Sequence, residues 1–574
     1  MIVVFSEERA RFEAICSYFE RSIPKEERWR WDNTLKRWYT VSEDIARRLA
    51  RYATGGAALR LNTLSEAERQ AVEDSKAADV TEDIEIPAPP GLAYLPFQRA
   101  GIFYALNRRG TLIGDEMGLG KTVQAIGVVN ALYGLRRAEA YAGGGVGVSG
   151  VGAAGVGNGG ILSRVLIVCP ASLRLNWRAE WRRWHTGKLR PVLLDAWPGG
   201  MFDATMGQAL IVSYDSVRKW HPMIAKVAWD VLICDEAHLL KDDSTRRAKS
   251  IFGGAYKCRE KFEPITARRK LFLTGTAIVN KAEDLWPLVK ALAPAGLGAS
   301  RVDFIERYAG NSRLDELHLR LRSQIMVRRL KDDVLKELPK KRRQIVLLDV
   351  PDAASIVAAE HNALDLAKAR LEQARAEIAD LPHGEQVMRL RQCRSIAMTE
   401  IARVRKETAL RKLPAAIEHI RDALDNPGKL VAFAHHHEVL DGLRNAFPKI
   451  ATGFDGRTAL PARHDAVTRF QSDRACRLFI GSKAAGLGVT LTEASTAVFV
   501  ELQWTAADMD QEESRIHRYG QRNPCLFLHL VIDGSIDAKM ARILVDKQAV
   551  MDAALDGGSA DGRSADILEE VLRA

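Results

Sequence analysis

A glycine-rich loop at residues 114–122, GDEMGLGKT, has the residue types of a phosphate-binding site. It follows a short apolar stretch at 111–113 and precedes a helical stretch that starts at Val123. A strand, a glycine loop and a helix in this order let backbone N–H groups surround phosphates, and the helix N-terminus adds partial positive charge. The nucleotide-contacting residues predicted in this loop are Asp115, Gly118, Gly120, Lys121 and Thr122.

Two side chains of the loop have specific predicted roles. Lys121 would reach the β- and γ-phosphates of ATP, and the Thr122 hydroxyl would bind Mg²⁺. Asp115 stands where the strict pattern for such loops has glycine. This departure argues against a small GTPase and fits the helicase variant of the loop.

Acidic and hydroxylated residues follow two further apolar stretches. Residues 231–234 run directly into Asp235 and Glu236, and residues 271–273 run into the Thr274-Gly275-Thr276 strip, which could sense the γ-phosphate and pass that state to the other lobe. A carboxylate at the end of a buried strand suits Mg²⁺, so Asp235 is the predicted metal ligand, and Glu236 would polarise the attacking water. Either pattern alone would more often be a solvated strand end or a turn, but together with the upstream loop they predict ATP hydrolysis.

Two blocks of alternating strands and helices must position these groups, a pattern typical of parallel α/β sheets. The strand candidates are 111–113, 165–169, 210–212, 231–234 and 271–273 in the first block, and 429–434, 477–480, 497–500 and 527–532 in the second. Between the blocks the sequence is rich in Ala, Leu, Glu and Arg and has helical periodicity.

Five segments are therefore predicted. They are an N-terminal accessory segment at 1–85, a first lobe at 86–330, a helical insertion at 331–427, a second lobe at 428–552, and a tail with a short helix at 553–574. The Gly-rich stretch at 143–160 is interpreted as a flexible surface loop.

Composition restricts the classes of partner. Lys and Arg outnumber Asp and Glu by 84 to 73, which suits a polyanion. No apolar run reaches the roughly 18–20 residues needed to cross a bilayer, so no membrane association is expected. The 7 cysteines lack zinc-site spacing. We expect an intracellular protein without zinc, cytoplasmic and nucleoid-associated if bacterial, nuclear if eukaryotic.

These segments resemble, in order, the motifs of Swi/Snf-type ATPases of helicase superfamily 2. The resemblance spans roughly residues 88–545. The matching segments are 95–101, 114–122, 168–170, 213–214, 235–238, 273–277, 486–492 and 511–521. It implies an α/β fold of two RecA-like parallel-sheet lobes, with a helical insertion between them and a small N-terminal accessory segment.

The resemblance also implies functional residues. Gln98 would contact adenine, Gly488 would lie at the nucleotide between the lobes, and Arg515 and Arg518 would reach the γ-phosphate from the second lobe. The spacing agrees, because two residues three apart share one face of a helix. The DNA contacts assigned by the resemblance are Ser172, Ser213, Tyr214, His435, Thr490 and Trp504.

A narrower resemblance is to the annealing-helicase branch of HepA-related proteins, carried by residues 326–335, 433–440 and 501–504. Part of the N-terminal segment, at residues 31–40, resembles the small substrate-recognition domain of that branch. Here cations interleave with aromatic side chains that could stack exposed bases. The aromatic residues are Trp29, Trp31, Trp38 and Tyr39.

Two further groups of ring-bearing side chains, three tryptophans and three histidines, have predicted roles. Trp177, Trp181 and Trp184 share one helix face and are interpreted as core rather than as base-stacking residues. His435, His436 and His437 are consecutive at a strand end, so their side chains diverge and cannot converge on one metal ion. A DNA-facing or lobe-packing role is predicted for them.

The favoured function is an ATP- and Mg²⁺-dependent motor that tracks on double-stranded DNA and remodels or reanneals forks and junctions. Its grip is expected to rest on phosphates and not on base edges, because its motifs supply small polar and basic groups. Replication or repair proteins are expected partners. Alternatives are a motor that strips protein from DNA, the ATPase of a defence or restriction system, and an RNA helicase. An alternative of another class is a non-catalytic DNA-binding scaffold.

Overall fold

The computed structural model describes most of the chain outside two glycine-rich regions. The described residues are 1–27, 29–41, 45–46, 49, 52–57, 66–80, 85–141, 162, 164–194, 208–257, 260–275, 282–311, 313–377, 383–482, 485 and 488–542. The predicted surface loop at 143–160 and tail at 553–574 lie outside them, as do Thr276, Ala277 and Gly486.

The N-terminal segment contains a small antiparallel sheet with its own core. Its strands are β1 (Ile2–Ser6), β2 (Arg11–Ile15), β3 (Arg30–Asp32) and β4 (Arg37–Thr40), in the order β1-β2-β4-β3, with helix α1 (Ser22–Glu26) between β2 and β3. Val3, Phe12, Ala14 and Trp29 are buried in that core. Residues 1–57 therefore hold a separate packing unit, which we call the N-terminal module.

Helix α2 (Glu66–Lys76) packs on the first lobe. Arg322 donates to the Ser75 hydroxyl at 3.2 Å, and the Arg328 amide donates to the Ser75 carbonyl, also at 3.2 Å. The predicted boundary at residue 85 is therefore wrong for α2. Most of α2 is charged and exposed, and its buried face, which includes Val72, is too small to stand out in the sequence.

The first lobe is a seven-stranded, fully parallel sheet. Its strands are β5 (Gly110–Ile113), β6 (Arg164–Cys169), β7 (Arg190–Leu193), β8 (Gln208–Ser213), β9 (Trp229–Asp235), β12 (Ala267–Leu273) and β13 (Met326–Val327). Their order is β13-β5-β12-β9-β6-β8-β7, and a separate hairpin, β10 (Gly254–Tyr256) with β11 (Glu260–Phe262), precedes β12.

Nine helices of the first lobe and its exit are described. They are α2, α3 (Pro96–Leu106), α4 (Lys121–Tyr141), α5 (Arg174–Trp184), α6 (Val217–Ile224), α7 (Arg246–Phe252), α8 (Trp286–Leu292), α9 (Arg301–Tyr308) and α10 (Leu314–Gln324) among the described residues. On α5, Trp177, Trp181 and Trp184 are buried, which confirms the predicted core stripe.

The second lobe is a six-stranded parallel sheet in the order β14-β19-β18-β15-β17-β16. The strands are β14 (Lys341–Leu347), β15 (Lys429–Phe433), β16 (Ala451–Phe454), β17 (Leu478–Gly481), β18 (Ala494–Phe499) and β19 (Cys525–Val531). The helices named here are α11 (Lys331–Val334) before it, then α14 (His437–Ala446), α15 (Leu460–Ser472) and α16 (Ala506–Glu513). Together with the first lobe, this sheet confirms the predicted fold class.

The predicted boundary between insertion and second lobe at residue 427 is wrong for β14. This strand pairs in register with β19 along Lys341–Cys525 to Leu347–Val531, so it belongs to the second-lobe sheet. As an edge strand with the sequence KRRQIVL, it carries charge on both sides of its first half, and its apolar pattern is weak.

A helical hairpin, α12 (Ala353–Glu377) and α13 (His383–Asp425), fills the predicted insertion and packs on the second lobe. Lys412 and Arg405 of α13 both reach the buried Asp537 carboxylate, at 2.7 Å and 2.9 Å. The two cations hold the pKa of Asp537 well below its usual range despite burial. None of the helices in the described residues is long and apolar enough to cross a membrane.

Candidate nucleotide site between the lobes

The glycine-rich loop lies between β5 and the N-terminus of α4, as its sequence predicts. Lys121 Nζ donates to the carbonyl oxygens of Asp115 at 2.9 Å and Glu116 at 3.4 Å. Burial lowers the pKa of Lys121, while the carboxylates of Glu236, Asp115 and Asp235 oppose that shift. The loop backbone therefore surrounds the Lys121 ammonium group, and the carboxylates of Asp235 and Glu236 lie beside it.

Asp115, a predicted nucleotide contact, has its carboxylate bound by protein donors, and the nucleotide contact stays a prediction. Its carboxylate is fully buried and accepts from Arg329 Nε at 3.0 Å, Arg329 Nη2 at 2.6 Å and Gln124 Nε2 at 2.8 Å. Arg329 comes from the chain just after β13 and was not predicted as a site residue. Since both carboxylate oxygens are occupied by protein donors, Asp115 anchors the loop from behind.

Gln98 lies beside the loop, on the first turn of α3. Its Nε2 donates to the Leu119 carbonyl at 3.2 Å, and its Oε1 accepts from the Leu95 amide at 3.0 Å. A Cβ on Gly120 would be 2.5 Å from Gln98 Nε2, so only glycine fits there without displacement. The predicted adenine contact of Gln98 stays a prediction; its placement next to the loop is shown.

Asp235 and Glu236 sit at the carboxyl end of β9, facing the loop. Trp177 Nε1 donates to Asp235 Oδ2 at 2.8 Å, and the Glu236 amide donates to Asp235 Oδ1 at 2.9 Å. Burial, with the adjacent Glu236 charge, raises the pKa of Asp235 to about 6. Burial also acts to raise the pKa of Glu236, but His238, Lys121 and Arg515 together hold it below its usual value.

His238 is a site residue whose role sequence reasoning missed. Its Nδ1 lies 3.3 Å from Glu236 Oε2 and 3.2 Å from Thr274 Oγ1 at the end of β12. The ring therefore joins the predicted water-activating carboxylate to the predicted γ-phosphate sensor.

Thr122, the predicted Mg²⁺ ligand of the loop, is half-buried in the first turn of α4.

The second lobe brings Arg515 to the carboxylates of Asp235 and Glu236, and Arg518 to the glycine loop at Gly118. Both side chains are half-buried. Desolvation lowers the pKa of Arg515 to about 10, with the Arg518 charge acting in the same direction and Glu236 and Asp235 opposing it. Arg515 Nε donates to the Gln511 carbonyl at 2.9 Å, and Arg518 Nη1 donates to Thr490 Oγ1 at 2.9 Å. Their arginine-finger role stays a prediction.

Two glycines with positive φ lie where the lobes meet. A Cβ on Gly118 (φ +94°) would stand 3.0 Å from Arg518 Cβ, and a Cβ on Gly488 (φ +72°) would stand 2.1 Å from Leu173 Cδ2. Gly488 therefore packs against the chain that follows β6 in the first lobe. The nucleotide contact of Gly488 stays a prediction.

Gly488→Ala should lower DNA-stimulated ATP hydrolysis about ten-fold, because overpacking costs about 1–3 kcal/mol and this contact exists only when the lobes touch. Steady-state phosphate release measures the effect. Gly91→Ala is the matched control, since Gly91 also has positive φ (+78°) but nothing lies within 4 Å of its Cβ position. If Leu173→Ala does not relieve the Gly488→Ala defect, the contact is not its cause.

The six predicted DNA contacts divide into two groups. Three are used inside the protein: the Ser213 hydroxyl donates to Ser216 Oγ at 2.9 Å, the buried Tyr214 hydroxyl donates to the Asp235 carbonyl at 2.8 Å, and His435 Nε2 lies 2.9 Å from the Leu502 carbonyl. These side chains support the site and the second lobe. Of the other three, Ser172, Thr490 and Trp504, all are partly exposed; Thr490 Oγ1 also accepts from Arg518, and Trp504 lies under the Arg405 guanidinium at 4.2 Å. The DNA contacts of all six stay predictions.

The histidine run is held by a buried carboxylate. Glu501 accepts from the backbone amides of His435 at 2.7 Å and His436 at 3.0 Å, and also contacts the His436 ring. Despite its burial, the contacts with these histidines lower the pKa of Glu501 to about 2. In the described part of the chain, no His, Cys, Asp and Glu residues are grouped to hold a metal ion.

Comparisons with known proteins agree with this two-lobe site. The SNF2-related domain matches residues 30–393, which is more than half of the chain. The chain belongs to the SNF2-related family. The helicase conserved C-terminal domain matches residues 412–520, which include Arg515 and Arg518. The predicted family and the predicted class of enzyme, a helicase-like ATPase, are confirmed.

Curated relatives of this SNF2-related chain include two animal proteins. It is 29% identical over 486 residues to the SWI/SNF-related matrix-associated actin-dependent regulator of chromatin subfamily A-like protein 1 of Xenopus tropicalis, covering 81% of this chain and 45% of the relative. It is 31% identical over 497 residues to the human DNA annealing helicase and endonuclease ZRANB3, covering 81% and 40%. The chain thus spans less than half of each of these two relatives.

A bacterial relative and a solved structure complete the comparison. An uncharacterized ATP-dependent helicase of Mycoplasma pneumoniae is 26% identical over 457 residues, covering 78% of this chain and 40% of the relative. The SWI2/SNF2 ATPase core of Sulfolobus solfataricus in complex with dsDNA aligns over 84% of this chain and 96% of that chain, at 20% identity and a TM-score of 0.38. The fold here follows from the two sheets themselves and not from that alignment.

Proposed function

We propose that this SNF2-related protein is a DNA-dependent ATPase that translocates on double-stranded DNA and rewinds or remodels branched DNA. The observation that carries the proposal is the meeting of Lys121, Asp235, Glu236 and Arg515 between the two lobes, where each charge perturbs the others. Hydrolysis at such a site depends on lobe closure, so DNA that brings the lobes together would stimulate it.

ATP cleavage is assigned to this chain's residues as follows. Glu236 accepts a proton from the attacking water, Lys121 binds the β- and γ-phosphates, and Arg515 and Arg518 stabilise the charge that develops on the transferred phosphoryl group. The products are ADP and inorganic phosphate. Closure of the arginines onto ATP and their release after hydrolysis would convert the chemistry into motion of one lobe relative to the other.

Mg²⁺ fits the acidic side of this site. Asp235 is a buried carboxylate whose pKa is raised to about 6 by burial and by the adjacent Glu236, and a divalent cation would compensate that excess negative charge. Asp235 and Thr122 would hold the ion. Bound Mg²⁺ would neutralise phosphate charge during cleavage.

Annealing or fork remodelling is proposed from the resemblance of residues 433–440 and 501–504 to annealing helicases, and it is supported by the similarity to the human DNA annealing helicase and endonuclease ZRANB3. The test is phosphate release with matched single-stranded, duplex and forked DNA, followed by a strand-annealing assay. We expect the highest rate on forks, and rewinding in place of strand separation. Absence of DNA stimulation, or processive unwinding of a long duplex, would overturn the proposal.

The N-terminal module is proposed to contribute the fork preference, with a smaller set of aromatic contacts than its sequence suggests. Trp29 is buried at 4% exposure and Trp38 packs edge-on against Trp31, with ring centroids 5.3 Å apart. Trp31, at 44% exposure, is the indole of this group that is open to solvent, and Tyr39 lies under the Arg11 guanidinium at 4.2 Å. Base stacking is therefore assigned to Trp31.

Removing residues 1–57 should erase the preference for forks while duplex-stimulated hydrolysis survives. The deletion stops before α2 because α2 is part of the first lobe. Trp31→Ala in the full chain should lower the fork-to-duplex ratio of phosphate release, since one stacked base is worth about 1–3 kcal/mol. Val302→Ala, also at an exposed apolar side chain (63%), is the control. An unchanged ratio in both variants would place fork recognition elsewhere.

A further inference from the structure

The four residues that follow β13, Arg328 to Lys331, form a strap that runs beneath the nucleotide loop. Arg328 Nη1 donates to the Gly114 carbonyl at 2.8 Å and to the Gly275 carbonyl at 3.3 Å, so it joins the ends of β5 and β12. Arg329 is fixed to Asp115 by the contacts described above. The first half of the strap thus belongs rigidly to the first lobe.

Lys331 at the end of the strap crosses to the second lobe. Its Nζ lies 3.0 Å from Ser514 Oγ and 3.4 Å from Glu116 Oε1, and its own amide donates to Glu116 Oε2 at 2.7 Å. Lys331 is 2% exposed, and its Cε stands 3.2 Å from the Cβ position of Gly118. One buried ammonium group therefore touches the nucleotide loop and the residue next to Arg515.

The energetics of this Lys331 contact depend on whether the two lobes are closed. A buried ammonium is costly unless it is paired and hydrogen-bonded. Glu116 supplies the negative charge from the first lobe, whereas Ser514 supplies a hydroxyl that is present only when the second lobe is in place. Separation of the lobes would remove one of the partners of Lys331, so the residue favours the closed arrangement over the open one.

We propose that Lys331 is a positioning residue for ATP hydrolysis, holding Ser514 and thereby Arg515 in register with the nucleotide loop when the lobes close. It acts through Arg515, since its Nζ contacts are with Ser514 and Glu116. The inference rests on the proposed arginine-finger role of Arg515. It adds a specific link by which the geometry of the nucleotide loop controls the geometry of the finger.

Lys331→Met tests the proposal because methionine keeps most of the volume and removes the charge. We expect kcat for DNA-stimulated hydrolysis to fall about ten-fold, the size expected when a hydrogen bond to a charged group is lost. KM for ATP should stay within about two-fold, because the lysine does not contact the nucleotide. Lys331→Arg, which keeps the charge, should recover part of kcat. Lys336→Met is the control, since Lys336 is exposed and bonds only within its own turn.

Ser514→Ala tests the same contact from the second lobe and does not depend on Lys331→Met folding. The double variant should be no worse than Lys331→Met alone, because both changes remove one interaction. Additive losses, a raised KM with unchanged kcat, or full DNA stimulation in Lys331→Met would each overturn the inference. If Arg515→Ala also retains full activity, the finger assignment fails; if Arg515→Ala is inactive and Lys331→Met is normal, only the positioning role fails.

Discussion

Glu236→Gln is expected to bind ATP and to lose hydrolysis by about 10²–10⁴-fold, the usual contribution of a positioned general base. The amide keeps the size of the side chain but cannot accept the proton of the attacking water. Lys121, the other loop contacts and Asp235 stay in place, so the phosphate site survives. Titration with a fluorescent ATP analogue reports binding, and phosphate release reports hydrolysis.

Two further variants serve as comparisons for Glu236→Gln. Lys121→Ala should weaken both binding and hydrolysis, because its ammonium is the charge that faces the phosphates. Glu306→Gln, an identical change at an exposed position of α9, should leave both unchanged. If Glu236→Gln hydrolyses ATP near the parental rate, another group activates the water.

Arg515→Ala is expected to lose about 10³–10⁵-fold of DNA-stimulated hydrolysis, the range known for an arginine that reaches a phosphoryl transition state. Arg515 is the finger whose charge couples to both Asp235 and Glu236. Arg518 is held by Thr490 within the second lobe and lies nearer the Glu180 charge, so Arg518→Ala should lose less. ATP affinity should change little in either variant, since the arginines meet ATP only on closure.

The control for the finger variants is Arg474→Ala, at an exposed arginine of the same lobe. Phosphate release is measured with saturating duplex DNA and without DNA. Retention of full DNA stimulation by Arg515→Ala or Arg518→Ala would remove that arginine from the site. Such a result would also separate the two arginines, which sequence spacing alone treats as equivalent.

A chain of contacts links strand ends of the first lobe to the acidic pair. The predicted γ-phosphate sensor Thr274 contacts His238, and His238 contacts Glu236. Tyr214, directly after β8, donates to the Asp235 carbonyl. Because Tyr214 is also one of the residues assigned to DNA by resemblance, a shift of this strand end would be transmitted to Asp235.

What the sequence determined by itself was the chemistry and the lobes. The loop at 114–122, the acidic pair and the arginine segment carry residue types and spacings that few other sites share, and the central strands are continuous apolar runs because both faces of a parallel sheet are buried. These features are local, so they can be read without knowledge of distant contacts. The edge strand β14 and helix α2 were not assigned to their lobes from the sequence, because their burial depends on neighbours far along the chain.

The tertiary structure was needed to show which of the candidate side chains are bound by partners within the protein. Asp115 points to Arg329, Trp29 to the core of the N-terminal module, and His435 to Glu501 and Leu502. Each of these residues has a type that suits ligand binding, and its actual partner lies far away in sequence. Burial and charge pairing are set by the packed chain as a whole, so a buried aspartate and a phosphate-facing one look the same until the fold brings its arginine to it.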